Sequence, residues 1–158
     1  MMNDDERWMR LAMETAMRGI DAGQTPFGAC VVRDGALVSV AHNQVWADID
    51  ATAHAEVLAI RRACLRLNTI TLSGCVLYST CEPCPMCFSA CHWARISRIV
   101  YGATIDDARQ AGFNELRIQA VVMKELGHSA TIVEGGVLAS EAKDLFRRWL
   151  EMRTGRAY

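Results

Sequence analysis

Apolar positions recur along the chain in two alternating rhythms. Trp8, Leu11, Ala12, Thr15, Ala16 and Gly19 share one face of a 3.6-residue repeat, which predicts a helix ending near Gly23. Two short apolar runs follow, 29–32 and 36–40, joined by Arg33-Asp34-Gly35. Asp-Gly between such runs predicts a hairpin, because these residues tolerate the positive φ of a tight turn. Residues 43–51 read as a loop. Val57, Ile60, Cys64 and Leu67 then share a helical face, while Arg61, Arg62 and Arg66 point elsewhere. This helix is predicted to begin just ahead of His54. A buried strand is predicted at 75–79, then a helix from Pro83, since proline suits a first helical turn. Further strands are predicted at 98–101 and 130–133, with a break at Gly135-Gly136. Ala142, Leu145, Phe146, Trp149 and Leu150 line a last helix. The pattern is weakest from 104 to 127, which is assigned to helices. Strands alternating with helices predict a three-layer α/β sandwich, built as one domain over 1–158.

Composition narrows the class. The 158 residues are 51% hydrophobic and 22% charged, an ordinary globular balance with enough chain for a substantial core. The net charge of -1 argues against nucleic acid or an anionic membrane as partner. No apolar run is long enough to span a bilayer. The start, Met1-Met2-Asn3-Asp4-Asp5-Glu6, is acidic and polar, unlike a secretory signal, so a cytoplasmic location is expected. Seven cysteines, an odd number, argue against a disulfide framework. Cys30, Cys64, Cys75 and Cys91 lie in apolar stretches and read as small core residues. Cys81 reads as a packed thiol, because a fourth thiolate would close a catalytic metal site.

The candidate chemistry lies in His54-Ala55-Glu56 and Pro83-Cys84-Pro85-Met86-Cys87. His54, Cys84 and Cys87 offer one imidazole and two thiolates. Three such ligands leave a tetrahedral zinc with an open fourth position, where water becomes a nucleophile near neutral pH. Cys84 and Cys87, at i and i+3 near a helix start, fall on one side of a turn whose dipole favours thiolate. Glu56, two residues from His54, is free to move protons to and from that water. The bland reading is a core histidine beside a structural Cys pair, with Glu56 a solvated charge. A zinc-stabilised interaction module would have that form.

His-x-Glu followed by Pro-Cys-x-x-Cys is the signature of zinc deaminases of nucleobases. The stretch from Thr52 to Arg95 resembles the core of the cytidine-deaminase-like superfamily. Thr52-Ala53-His54-Ala55-Glu56 and Cys81-Glu82-Pro83-Cys84-Pro85-Met86-Cys87 are very similar to two of its branches, the bacterial guanine deaminases and the bacterial tRNA adenosine deaminases. The resemblance implies an α/β/α sandwich around a mixed five-stranded sheet, one Zn2+ per subunit and a homodimer. Pro26-Phe27-Gly28 and Ala111-Gly112-Phe113-Asn114-Glu115 are closer to the guanine deaminase pattern. By that resemblance Glu115 is the second proton-transfer acid, with Asp106 and Asp107 as alternatives. Asn43, Ala55, Phe27 and Trp93 would hold the base. Tyr158 would cap it from a C-terminal tail, about 153–158, exchanged between subunits. The reaction implied is hydrolysis of guanine to xanthine and ammonia. The alternatives are adenosine-to-inosine editing of tRNA, for which Arg147, Arg148, Arg153 and Arg156 leave some basic character, and deamination of guanosine, cytosine or an aminated triazine.

Overall fold

The computed structural model describes residues 3–152 and 156–158. Five strands, β1 (Gly28–Arg33), β2 (Ala36–His42), β3 (Cys75–Cys81), β4 (Arg98–Ala103) and β5 (Ile132–Gly135), form one sheet in the order β2-β1-β3-β4-β5. β1 pairs antiparallel with β2 and β3, whereas β3, β4 and β5 run parallel. The sheet is therefore mixed. Among the described residues seven helices accompany it: α1 (Asp4–Asp21), α2 (Val45–Asp48), α3 (Ala55–Leu67), α4 (Pro85–Trp93), α5 (Ile105–Gln110), α6 (Ala120–Leu126) and α7 (Ala139–Met152).

Strand alternation divides the core in two. Ala29, Val31, Leu77 and Ile99 face α3, α4 and α6, packing against Ala59, Ala63, Phe88, Cys91 and Ala120. Cys30, Val32, Tyr78 and Val100 face α1 and α7, packing against Trp8, Met9, Ala16, Leu145 and Trp149. The result is the α/β/α sandwich expected. The hairpin turns at Asp34 (φ 51°) and Gly35 (φ 70°), as Asp-Gly predicts. Gly28 has a different reason. A Cβ there would stand 2.2 Å from the Ala12 carbonyl, so α1 lies on β1 only because this position is bare.

Several boundaries differ from the sequence reading. Residues 43–51 contain the single turn α2. α3 starts at Ala55, with His54 extended as its N-cap, rather than ahead of His54. α4 starts at Pro85 rather than Pro83, because Pro85 drives the preceding Cys84 out of the α region (ψ 168°). On α3 the buried face runs through Ala55, Glu56, Ala59, Ile60 and Ala63, and Val57, Cys64 and Leu67 are only half-buried. The small alanines let the helix approach the sheet closely. β5 lies two residues later than predicted and includes Gly135. Leu150 is exposed at the edge of α7. Segment 104–127 does contain two helices, α5 and α6, with a loop of residues 111–119 between them.

Candidate zinc centre and pocket

Two helix starts converge beyond the end of β3. His54 caps α3 and Cys84 caps α4, and Cys87 lies in the first turn of α4. His54 Nδ1 is 3.8 Å from Cys84 Sγ and 3.4 Å from Cys87 Sγ. These three ligand atoms all lie within 4.8 Å of one another. A tetrahedral zinc with ordinary Zn–N and Zn–S bonds separates such atoms by about 3.5 Å. The residues therefore fit the ion. The Cys84 thiol is held down to about 4, first by the hydrogen bond from Cys87, against the effect of burial, and further by His54. That is the charge state of a ligand. Cys81 stays outside the triad; its thiol contacts the Thr104 carbonyl at 3.4 Å, and burial pushes it well up.

Glu56, in the first turn of α3, is 6% exposed. Its Oε1 accepts from Ser79 Oγ at 3.2 Å. Burial raises its carboxyl above the ordinary range, opposed by the His54 charge. Glu115 reaches the same cavity from the 111–119 loop. It is half-buried and raised to about 7, first by desolvation and then by the negative Cys84 and Glu56. The alternatives to it are engaged elsewhere. Asp107 closes a capping box with Thr104 and pairs with Lys143, and Asp106 pairs with Arg109 at the surface.

The cavity is lined by Phe27, Asn43, His54, Glu56, Cys81, Glu82, Cys84, Glu115 and Tyr158. Asn43 is wholly buried, its Oδ1 accepting from the Val45 amide while Nδ2 donates to the Tyr158 hydroxyl at 2.5 Å. Tyr158 stacks edgewise on Phe113, which packs in turn on Phe27. Its carbonyl accepts from the Asn114 amide at 2.9 Å. Trp46 Nε1 donates to the Arg156 carbonyl at 2.6 Å, and the Arg156 guanidinium lies 4.6 Å from the Trp46 ring centre. Residues 156–158 thus rest on their own chain's cavity, leaving room of about 10 Å³, one water molecule at most.

Two residues expected at the base are not among those lining this cavity. Ala55 is fully buried but does not line the cavity. Trp93 ends α4 with 81% of its surface exposed and also stands outside it. Of the basic residues, Arg147 pairs with Asp144 and Glu151, and Arg148 is exposed. Arg153 lies outside the described residues. The sequence reading missed Glu82 and the Trp46–Arg156 latch. For Glu82 the signal was a lone carboxylate set between an apolar strand and Pro83.

Residues 2–103 match the model of the cytidine and deoxycytidylate deaminase zinc-binding region. The chain belongs to this deaminase family. The match indicates a zinc-dependent hydrolase, and the triad above is positioned to bind the metal. Guanine deaminase of Bacillus subtilis is 39% identical over 157 residues, spanning 97% of this chain and 98% of that protein. The tRNA-specific adenosine deaminase of Aquifex aeolicus is 46% identical over 98 residues, 62% of this chain and 65% of that one. Among solved structures, a guanine deaminase from Nitrosomonas europaea superposes with TM-score 0.85 at 32% identity, covering 91% of this chain and 83% of that one. A mutant protein in complex with 8-azaguanine gives TM-score 0.88 at 31% identity, covering 94% and 85%.

Proposed function

We propose that this chain hydrolyses guanine to xanthine and ammonia. The observation that carries the reading is the roof over the zinc triad, Tyr158 hydrogen-bonded to buried Asn43. A small roofed cavity suits a free base, whereas a base still attached to a tRNA loop needs an open mouth for its backbone. The full-length similarity to a guanine deaminase supports the same substrate.

Zinc held by His54, Cys84 and Cys87 supplies a Lewis acid and lowers the pKa of a water in its open position. Glu56, buried beside the triad, would take a proton from that water and deliver it to the ring nitrogen beside C2, as the water oxygen bonds to that amino-bearing carbon. It would then take the remaining proton of the hydroxyl now on C2 and pass it to the amino group, so that the C2–N bond breaks, ammonia leaves and C2 becomes a carbonyl. Glu115 faces the same space and assists on the amino side. Asn43 Nδ2 carries a second hydrogen for the base, and Phe27 and Tyr158 offer ring surfaces to a flat purine. With so little free volume, Tyr158 must swing away to admit the base and return to exclude water.

On this reading the enzyme is a cytoplasmic homodimer. Seven free thiols fit a reducing compartment. The bare Trp93 indole fits a subunit face better than a base contact. The Tyr158 and Arg156 contacts would serve equally for a tail received from the partner. The test is ammonia release by the zinc-loaded protein from guanine, guanosine, cytosine, adenine and an aminated triazine, with an anticodon stem-loop alongside. Selective guanine turnover is expected. Turnover of the stem-loop alone would overturn the assignment.

A further inference from the structure

Glu82 is a buried carboxylate, 5% exposed, that the reaction as written leaves unused. It stands just past β3, two residues before the ligand Cys84, and is not one of the three metal-binding side chains. Both its oxygens are taken by backbone N–H groups. Oε2 accepts from Ile105, the first residue of α5, at 3.1 Å. Oε1 accepts from Ala120, the first residue of α6, at 2.8 Å. First-turn amides have no partner inside their own helix, and a negative charge there also meets the positive end of the helix dipole. The need is plainest at α6, whose N-cap Gln119 provides no side-chain cap.

These two amides mark the ends of one excursion of the chain. Between them lies the 111–119 loop, which buries Phe113 and brings Glu115 to the cavity that Glu82 also lines. We infer that Glu82 is the positioning residue for Glu115, a single carboxylate that fastens both ends of the Glu115-bearing segment to the strand end from which the metal cysteines follow. The inference rests on Glu115 acting in the reaction as proposed above. Removing Glu82 frees both anchors at once and strands two buried amide donors. The loop then loses its fixed distance from the metal centre. A misplacement of about 1 Å at a reacting group can cost about 100-fold in rate.

A double-mutant cycle on guanine turnover tests this, using Glu82→Ala, Glu115→Ala and both together, with zinc content and Tm measured on each protein. Glu82→Ala is expected to lower kcat by about 100-fold while zinc stays at one per chain. In the Glu115→Ala background the same change is expected to alter kcat by about twofold or less, since residues acting as a unit are not additive. Hydrogen exchange at Ile105 and Ala120 should accelerate in both Glu82 variants. If Glu82→Ala fails to fold, Glu82→Gln serves in its place. Its amide keeps one acceptor for one N–H and turns a donor toward the other, so a partial loss with the same non-additivity is expected. Full activity of Glu82→Ala, additive losses, or loss of zinc would each overturn the inference. Full activity of Glu115→Ala would instead overturn the role of Glu115, and the two failures are thereby told apart.

Discussion

Replacing Glu56 by glutamine separates proton transfer from packing. The amide has the shape of the carboxylate, and its Oε1 can still accept the Ser79 hydroxyl now 3.2 Å away. What disappears is the proton carrier. General acid–base catalysis by one side chain is worth about 100- to 10,000-fold, or about 2.7–5.4 kcal/mol of barrier at 1.36 kcal/mol per decade. Stability should move the other way. Glu56 is 6% exposed, and burial lifts its carboxyl above 4.5. The folded protein then keeps a proton that the unfolded chain gives up. The resulting stabilisation is complete below about 4.5 and is lost as pH rises through the folded value. Glutamine suffers no such loss. In the metal-free proteins, Glu56→Gln should therefore gain on the wild type in Tm as pH rises from 4.5. The assay is kcat for guanine in the zinc-loaded variant, zinc per chain, and Tm across pH in the metal-free pair. A fully loaded variant within tenfold of wild-type kcat would refute the proton-transfer role. A Tm gap that closes with rising pH would refute the burial argument.

Three further outcomes are expected. Deleting Tyr158 removes the partner of Asn43 Nδ2 at 2.5 Å, so kcat/KM should fall by about tenfold or more, the equivalent of one buried hydrogen bond, with little change in Tm; unchanged kinetics would defeat the capping role. Glu115 is raised from 4.5 to about 7 without metal, so metal-free Glu115→Gln should gain stability on the metal-free wild type as pH rises from 4.5 to about 7, and kcat for guanine should fall in the zinc-loaded variant; an unchanged kcat would remove Glu115 from the reaction. Stripping zinc with a chelator should abolish turnover and lower Tm, both recovering on zinc addition, whereas activity that survives verified metal removal would contradict the His54, Cys84 and Cys87 assignment.

Much of the frame was written locally. Short apolar runs and 3.6-residue repeats located the five strands and the long helices of the described residues, and Asp34-Gly35 placed the hairpin turn. The misplaced edges have local causes that a pattern of apolar positions overlooks. Pro85 delays α4, and alanines carry much of the buried face of α3 although larger residues mark its apparent face. The metal ligands were legible for a chemical reason. A thiol pair at i and i+3 after a proline, with a histidine upstream, has few uses in a chain whose cysteines stay reduced.

The substrate side was harder because its contacts join distant residues of ordinary type. Asn43 meets Tyr158 across 115 positions and Trp46 meets Arg156 across 110. No spacing rule foretells such meetings, so only likeness to a family could suggest Tyr158, and nothing suggested Trp46. Trp93 differs again, since likeness placed it at the base and in the single chain it is exposed and outside the cavity lining. Glu82 combines both conditions. It stands inside the most recognisable motif of the chain, yet its work is done at Ile105 and Ala120, 23 and 38 positions away. A motif fixes which atoms can hold a metal. The distance from that metal to a second acid is fixed by where the chain returns, and here the return is tied down by the one charged residue between Cys81 and the metal-binding Cys84.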